Sequence, residues 1–547
     1  MQQTKPRTRW LGWLIAAVLG ATLGFGMAQT QTDADVRKSI QVWSAAFEEI
    51  VNTYVDPVDP EQLMEKGLES MLNELDPYTN YINESERAAV EVLTQGRYIG
   101  VGLEVDRRGR YVVVESVVDG TAADRANLAI GDILLRIDGD PIDDWTVNQV
   151  RAALRGSSGS NVTIDLERSN GTTDTITLVR GPVELVAVPY SGFIGASRNG
   201  MGYIRLERFT QRAASEVRRA VDDLQQNRPL NGLVLDLRGN PGGLLDAAVD
   251  VGGLFLERGS VIVSTQGRTS NVSRTYRSTD QPRYPSVPLV LLVDERSASA
   301  SEILAGAVQD HDRGVVLGRT TFGKGLVQVV RSLPHGGSLK VTTARYYTPS
   351  GRSIQMTEMP LSLMDRETMA SQTFETMAGR LVRDRNGIEP DIPIDDGRMG
   401  PLENALQEEG AFFRFASHIA NEYPRPPSDG WESATLLTSF QEWIDAEEIR
   451  YETEAQSALH TVDSLVAINH PDAESSVDAL HDALSASIQR QFEREANALT
   501  SRLLSEVRTR YLTSRGYYAA TLAEDEMVQE SVQLINDESR YITVLNP

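Results

Sequence analysis

Leu289-Val290-Leu291-Leu292-Val293 runs without a polar residue into Asp294-Glu295-Arg296-Ser297-Ala298-Ser299-Ala300-Ser301-Glu302-Ile303-Leu304-Ala305-Gly306-Ala307. Five consecutive branched aliphatic residues suit a strand buried on both faces, as in a sheet sandwiched between helices. The small residues after it suit a tight strand-to-helix junction. A helix that begins there presents unpaired backbone N–H groups and the positive end of its dipole, which can hold a developing oxyanion. Ser299 has two readings at this point. Ser299-x-x-Glu302 fits a capping box, which involves no chemistry, and Ser299 also fits a nucleophile.

Working outward, apolar runs such as Gly232-Leu233-Val234-Leu235-Asp236-Leu237 and Gly314-Val315-Val316-Leu317 alternate with helical stretches across residues 182–398. That alternation predicts an α/β domain. Residues 95–181 read as a small β-rich domain, with short runs such as Tyr111-Val112-Val113-Val114 and Asn161-Val162-Thr163-Ile164 divided by glycine-rich turns. Residues 36–94 space Val42, Ala46, Ile50, Leu63, Leu68, Leu72 and Leu75 in near-helical steps. Residues 399–547 are helical and acidic: from Pro401 onward there are 10 arginines, no lysine and 26 carboxylates. Stripes such as Leu480, Leu484, Ile488, Phe492 and Leu499, Leu503, Val507 bury one helix face against a neighbour.

The 53 basic and 77 acidic residues give a net charge of −24, which argues against a nucleic-acid partner. The chain has no cysteine, so a thiol nucleophile, a disulfide framework and a cysteine-ligated metal are excluded. Lys5, Arg7 and Arg9 precede an uncharged apolar run from Trp10 to Ala28 that ends in Gly26-Met27-Ala28. This predicts export, with residues 1–28 as a cleaved signal peptide or a membrane anchor. The expected location is the periplasm, with the N-terminus as the point of any membrane attachment.

A serine nucleophile needs a group to take its proton. The six histidines are poor candidates: His311 and His335 sit in turns, and the other four lie in the acidic C-terminal region. Only five of the 53 basic residues are lysine, and one of them, Lys324, lies between glycines in Phe322-Gly323-Lys324-Gly325. A chain that otherwise uses arginine for positive charge has placed here a side chain that burial can make a base, which arginine cannot become. A surface or anion-binding lysine is the plainer reading, although no phosphate-loop motif surrounds it.

The run Ser297 to Ala307, with Thr321-Phe322-Gly323-Lys324-Gly325-Leu326-Val327-Gln328 and Leu339 to Gly351, closely resembles the carboxyl-terminal processing peptidases, or tail-specific proteases. The resemblance covers residues 36–397 and implies a crotonase/Clp-like α/β peptidase core with an inserted β-rich PDZ domain and flanking helical regions. It implies Ser299 as nucleophile, Lys324 as base 25 positions later, and Gln328 as the group that orients the lysine. Glu302 and Asp310 fall where supporting acids occur in other members. Asp236-Leu237-Arg238-Gly239-Asn240-Pro241-Gly242-Gly243 resembles a family segment that lends Gly242 or Gly243 N–H, with Ala300 N–H, to an oxyanion hole. Tyr98 to Leu103, Gly120 to Ala123 and Ala129 to Gly139 resemble a PDZ domain, with Gly100-Val101-Gly102-Leu103 as the carboxylate-binding loop.

The implied activity is serine endopeptidase action through an acyl-enzyme, with no metal or organic cofactor. Its partners would be protein or peptide substrates with an exposed C-terminus, the last residue apolar and uncharged. The helical ends suit self-assembly or an adaptor protein, and equally a solvated cap. Two rivals remain: a scaffold with an inactive peptidase domain, disfavoured by the presence of both Ser299 and Lys324, and a hydratase-type activity on a related fold. The latter is disfavoured because nothing resembles an acyl-CoA nucleotide site.

Overall fold

The computed structural model describes residues 34–83, 96–168, 171–195, 200–355, 372–384, 386–394, 399–427, 430–469, 474–512 and 514–546. The apolar segment read as a signal or anchor lies outside them. Among the described residues no helix is long and apolar enough to cross a membrane.

The described residues 34–81 form one unit, with helices α1 (34–53) and α2 (Pro60–Asn73). Asp59 caps α2 by accepting the N–H of Glu61 at 2.9 Å, and Pro60 occupies the first turn, where its missing N–H costs nothing.

Residues 82–547 form the second unit, and its first part is the β-rich domain. Its strands are β1 (Arg97–Gly100), β2 (Leu103–Arg108) and β3 (Tyr111–Val117). After the short helix α3 (Ala122–Arg125) come β4 (Ile133–Ile137), helix α4 (Val147–Leu154), β5 (Asn161–Glu167), β6 (Thr173–Val179) and β7 (Gly181–Glu184). Strands β2-β3-β4-β5-β6 make an antiparallel sheet in that order, and β1 pairs with β7. Alternation in β5 puts Val162, Ile164 and Leu166 into a closed core with Val105, Val114, Ile137, Val150 and Leu154.

The central domain carries β8 (Tyr190–Phe193), β9 (Met201–Arg205), α5 (Ala213–Asn227), β10 (Gly232–Asp236), α6 (Leu245–Gly252), β11 (Val261–Gly267), β12 (Arg274–Arg277), β13 (Leu289–Val293), α7 (Ala300–Asp310), β14 (Val315–Gly318), β15 (Leu326–Ser332), β16 (Ser338–Tyr347) and β17 (Ile392–Pro393). One sheet runs β8-β9-β10-β13-β14-β17, parallel except for the β8/β9 edge. Every residue of β10, β13 and β14 is buried, as their unbroken apolar runs predict. The face with Leu233, Leu235, Leu289, Leu291 and Val316 packs on α5, α6 and α7. A second sheet joins the β15/β16 hairpin to β11 and β12.

The other face of the parallel sheet is covered by the end of the chain. A helical domain comes first: α8 (Pro401–Glu408), α9 (Ala411–Glu422), α10 (Ser433–Ala446), α11 (Glu454–Asn469), α12 (Glu474–Ser485) and α13 (Ile488–Arg508). Its core joins Phe412, Phe415, Phe440 and Trp443 to Phe492, Leu499, Leu503 and Val507 of α13. The predicted Leu499, Leu503, Val507 stripe is thus an internal packing face, and Phe492 is buried with it, whereas Leu480, predicted to share a buried stripe with Phe492, is exposed on the preceding helix α12. Then α14 (Ser514–Thr521), α15 (Glu526–Asn536) and α16 (Glu538–Leu545) return to the sheet, where Leu522, Met527, Val528, Leu534 and Ile535 cover Val234, Val290, Leu292, Val315 and Leu317. The helical domain also meets the β-rich one. Arg510, after α13, is buried over the Phe413 ring, 4.5 Å from its centroid, and against the Gly131 turn.

Candidate active site

The junction after β13 holds the site because its backbone is forced into an uncommon turn. Ser299 has φ 56° and ψ −111°, a conformation that costs a non-glycine residue about 1–3 kcal/mol and persists only where the surroundings hold it. Several bonds do so. Ser297 Oγ donates to Leu237 C=O at 2.8 Å, and Asp294 Oδ1 accepts the N–H of Gly239 at 2.8 Å. Ala298 N–H and Ser301 Oγ both donate to Asn240 C=O, at 3.0 and 2.9 Å. The turn after β10 and the turn after β13 are therefore one stitched assembly.

Gly242 sits directly against Ser299. With φ +100°, a Cβ there would lie 2.9 Å from both Ala300 N and Ser299 Cβ, so only glycine fits. Its own N–H is committed to Asn240 Oδ1 at 2.9 Å. The N–H groups of Gly243 and Ala300 have no acceptor among the described residues. Of the two glycines that the sequence leaves open, Gly243 is therefore the one with a donor available beside that of Ala300.

Glu302 binds the serine turn to the lysine loop. It is fully buried, and four donors converge on it. Oε2 accepts Ser299 N–H at 2.7 Å and Lys324 N–H at 2.9 Å; Oε1 accepts Gly323 N–H and Thr321 Oγ1, each at 2.7 Å. Burial pushes the carboxyl pKa up, while those four hydrogen bonds favour the ionised form and oppose the shift. The capping-box reading of Ser299 and Glu302 is thus correct for the Ser299 N–H bond, and the same carboxylate also reaches across the chain. Tyr346 makes a second link, its hydroxyl donating to Lys324 C=O and lying 3.3 Å from Ser299 C=O. Phe322 N–H on Ser297 C=O, at 3.1 Å, makes a third.

Glu302→Ala would leave four buried donors without their acceptor, each hydrogen bond to a charged group contributing about 1.5–3 kcal/mol. The expected result is a loss of about 100-fold or more in kcat with a lowered melting temperature. Glu302→Gln, which keeps one acceptor oxygen, should fall between. Unchanged turnover in the alanine variant would show that the two loops hold their geometry without the carboxylate.

Gln328 and Asp310 make contacts with other elements. Gln328, on β15, points its amide at Thr342 Oγ1, 3.4 Å away on β16. Asp310 ends α7, about 15 Å along the helix from Ser299. There its carboxylate holds buried Arg352 at 3.0 Å and accepts Ser350 N–H at 2.9 Å. It supports the turn after β16 and stands a helix length from the serine. Sequence reasoning assigned no role to Tyr346 or Thr321, because their partners are distant in sequence, nor to the Asn240 side chain, whose bond to Gly242 N–H is a local feature of the turn.

Behind the loop, Asp236 is fully buried and meets Arg205 at 2.9 Å, Arg238 at 2.6 Å and Tyr203 Oη at 2.6 Å. Burial works to raise its pKa, but the two guanidinium groups and the hydrogen bonds outweigh that and hold it well below the usual carboxylate range. Arg238 also bonds Asp525, the N-cap of α15, at 2.7 Å.

In the β-rich domain, Gly100-Val101-Gly102-Leu103 forms the turn between β1 and β2. Gly102, at φ +88°, packs so tightly that a Cβ would lie 2.1 Å from Thr121 Oγ1. The carbonyls of Val101 and Gly102 accept Ala123 and Val118 N–H, each at 2.9 Å, which fixes the loop against the start of α3 and the end of β3.

Family models match along the chain: peptidase family S41 over residues 200–360, a PDZ domain over 90–167, the C-terminal helical domain of a probable PDZ-protease over 402–535, and the N-terminal domain of the activating protease CtpB over 24–86. A carboxy-terminal-processing protease of Bartonella bacilliformis is 37% identical over 330 residues, which are 60% of this chain and 75% of the relative. The chain belongs to the carboxy-terminal-processing proteases. It is accordingly a serine peptidase with a PDZ domain on an S41 core. Carboxyl-terminal-processing peptidase 3, chloroplastic, of Arabidopsis thaliana is 38% identical over 296 residues, 52% of this chain and 56% of that one. The carboxy-terminal processing protease CtpA of Bacillus subtilis is 29% identical over 310 residues, 56% of this chain and 65% of the relative. The solved structure of a photosystem II D1 C-terminal processing protease is 29% identical, covers 64% of this chain and 86% of its own, and has a TM-score of 0.38.

Proposed function

We propose that this protease cleaves exported or membrane-anchored proteins in the periplasm through a Ser299–Lys324 dyad, after its PDZ domain has bound the substrate's C-terminal tail. The observation that carries the dyad is the single Glu302 oxygen that accepts both Ser299 N–H and Lys324 N–H, fixing nucleophile and base on one anchor. The neutral Lys324 amine takes the proton from Ser299 Oγ as that oxygen attacks the scissile carbonyl. The N–H groups of Gly243 and Ala300 stabilise the oxyanion. The lysine ammonium gives its proton to the leaving amine; the neutral Lys324 amine then takes a proton from the water that attacks the acyl-enzyme and passes it to Ser299 Oγ as that oxygen leaves.

Periplasmic location rests on the basic and apolar character of residues 1–28. Tail binding rests on the open edge of β2 beside a glycine loop, the arrangement by which a peptide strand extends a sheet. Self-assembly or an adaptor would engage the helical ends.

The test incubates the full chain with an unfolded protein, and separately with a serine-directed fluorophosphonate followed by mass spectrometry. Cleavage together with an adduct on Ser299 is expected. No cleavage, or an adduct on Ser297 or Ser301, would overturn the assignment.

A further inference from the structure

An arginine holds the position that a bound peptide would take. Among the described residues β2 is the terminal strand of its sheet, so its outer edge faces α4 with no strand between them. From the middle of α4, Arg151 donates Nη2 to the carbonyl of Val105 on β2, at 2.8 Å. A strand added at that edge would need the same carbonyl as its acceptor. The rest of the guanidinium lies along the groove, with Nε 4.0 Å from Glu104 Oε2. That Nε is buried and has no hydrogen-bond acceptor among the described residues. A planar fork of donors short of an acceptor suits a carboxylate, which can take two of its N–H groups at once.

Register states where that carboxylate would come from. A tail whose terminal carboxylate lies at Gly100–Leu103 and which runs antiparallel to β2 sets its last residue against Leu103. Facing residues that share an edge recur every second position, so its third-from-last residue faces Val105. The N–H of that residue competes with Arg151 for Val105 C=O. Once displaced, the guanidinium remains on the α4 wall beside that residue's side chain. The last residue lies against Leu103, whose side chain joins the apolar core with Val150 and Leu154, which suits an apolar C-terminal residue. The charges around the groove are mixed: Arg151 and Arg155 face Glu104, Arg208 adds its field to Arg155, and Arg151 is also within the field of Glu115, so the selection rests on the open Nε of Arg151.

We propose that Arg151 latches the empty groove at the Val105 carbonyl and, when displaced, selects substrates whose third-from-last residue is acidic. The proposal rests on the tail-binding reading of the PDZ domain. Its test is fluorescence anisotropy on the full chain carrying Ser299→Ala, with labelled ten-residue peptides ending in an apolar residue. These have Glu, Gln or Lys at the third-from-last position and a free or amidated terminus.

The Glu peptide should bind about three- to fivefold tighter than the Gln peptide, the range of a partly exposed ion pair, and the Lys peptide weakest. Arg151→Ala should erase the Glu preference and tighten the Gln peptide about twofold, because no latch has to open. Arg151→Lys should keep part of the preference. If amidation weakens binding but the Glu-to-Gln ratio is the same in wild type and Arg151→Ala, the latch is wrong and tail binding stands. Binding indifferent to amidation would overturn both.

Discussion

Exchanging Lys324 for arginine is expected to lower kcat on an unfolded protein by about three to four orders of magnitude, with the fold unchanged. Arginine keeps a cation between Gly323 and Gly325 but does not give up its proton, so it cannot accept one from Ser299. The loop should survive the exchange because main-chain groups hold it: Gly323 and Lys324 N–H on Glu302, Gly325 N–H on Gln355 Oε1 at 2.9 Å, and the Lys324 carbonyl on Tyr346. Wild-type turnover should rise toward alkaline pH as the lysine amine loses its proton, and the arginine variant should lack that rise. Circular dichroism alongside the kinetics separates lost chemistry from lost fold. An arginine variant that cleaves within tenfold of wild type would remove Lys324 from the mechanism.

Deleting residues 514–547 is expected to leave no folded peptidase, although every residue of the proposed site remains. The deletion uncovers Val234, Val290, Leu292, Val315 and Leu317, all fully buried in the intact chain. At about 1.5–3 kcal/mol for each large aliphatic side chain, the loss is on the order of 10 kcal/mol, comparable with the whole stability of a typical domain. The deletion also strips Asp525 from Arg238, one residue before the turn that holds Gly242 and Gly243. A soluble, cooperatively melting and active truncated protein would contradict this reading.

A milder probe of the same region is Asp236→Asn, expected to cost about 3–5 kcal/mol because it leaves buried Arg205 without its charge partner and Arg238 with Asp525 alone. The sign with pH follows from the depressed Asp236 pKa. Its stabilisation is complete above the unfolded value of about 3.9 and is lost as pH falls toward the lower folded value. The melting temperatures of wild type and variant should therefore differ by a constant amount above about pH 4 and begin to approach one another only below it.

Residues whose meaning is local were legible in the chain. The apolar runs of β10, β13 and β14 announce strands covered on both faces, because three to five uninterrupted aliphatic residues have no face to give to water. The alternation in β5 announces a strand with one covered face. Ser299 and Lys324 stand out for their neighbours, small residues at a helix start and a rare lysine between glycines. Hydrophobic spacing in α13 predicted that its stripe would be buried, but not against what.

Determined by sequence alone, then, were the class of the central domain, the presence of a β-rich domain before it, the charge balance that disfavours nucleic acid, and the pair Ser299 and Lys324 as the residues to examine. Tertiary structure decided the rest. It joined the two loops through Glu302 and Tyr346, committed Gly242 N–H to Asn240 and left that of Gly243 available, set Asp310 at the far end of its helix, and brought the last helices back over the sheet. Apart from the local Asn240–Gly242 bond, these contacts join residues distant along the chain, and spacing in a sequence carries no information about which buried donor will meet which buried acceptor until the chain has packed.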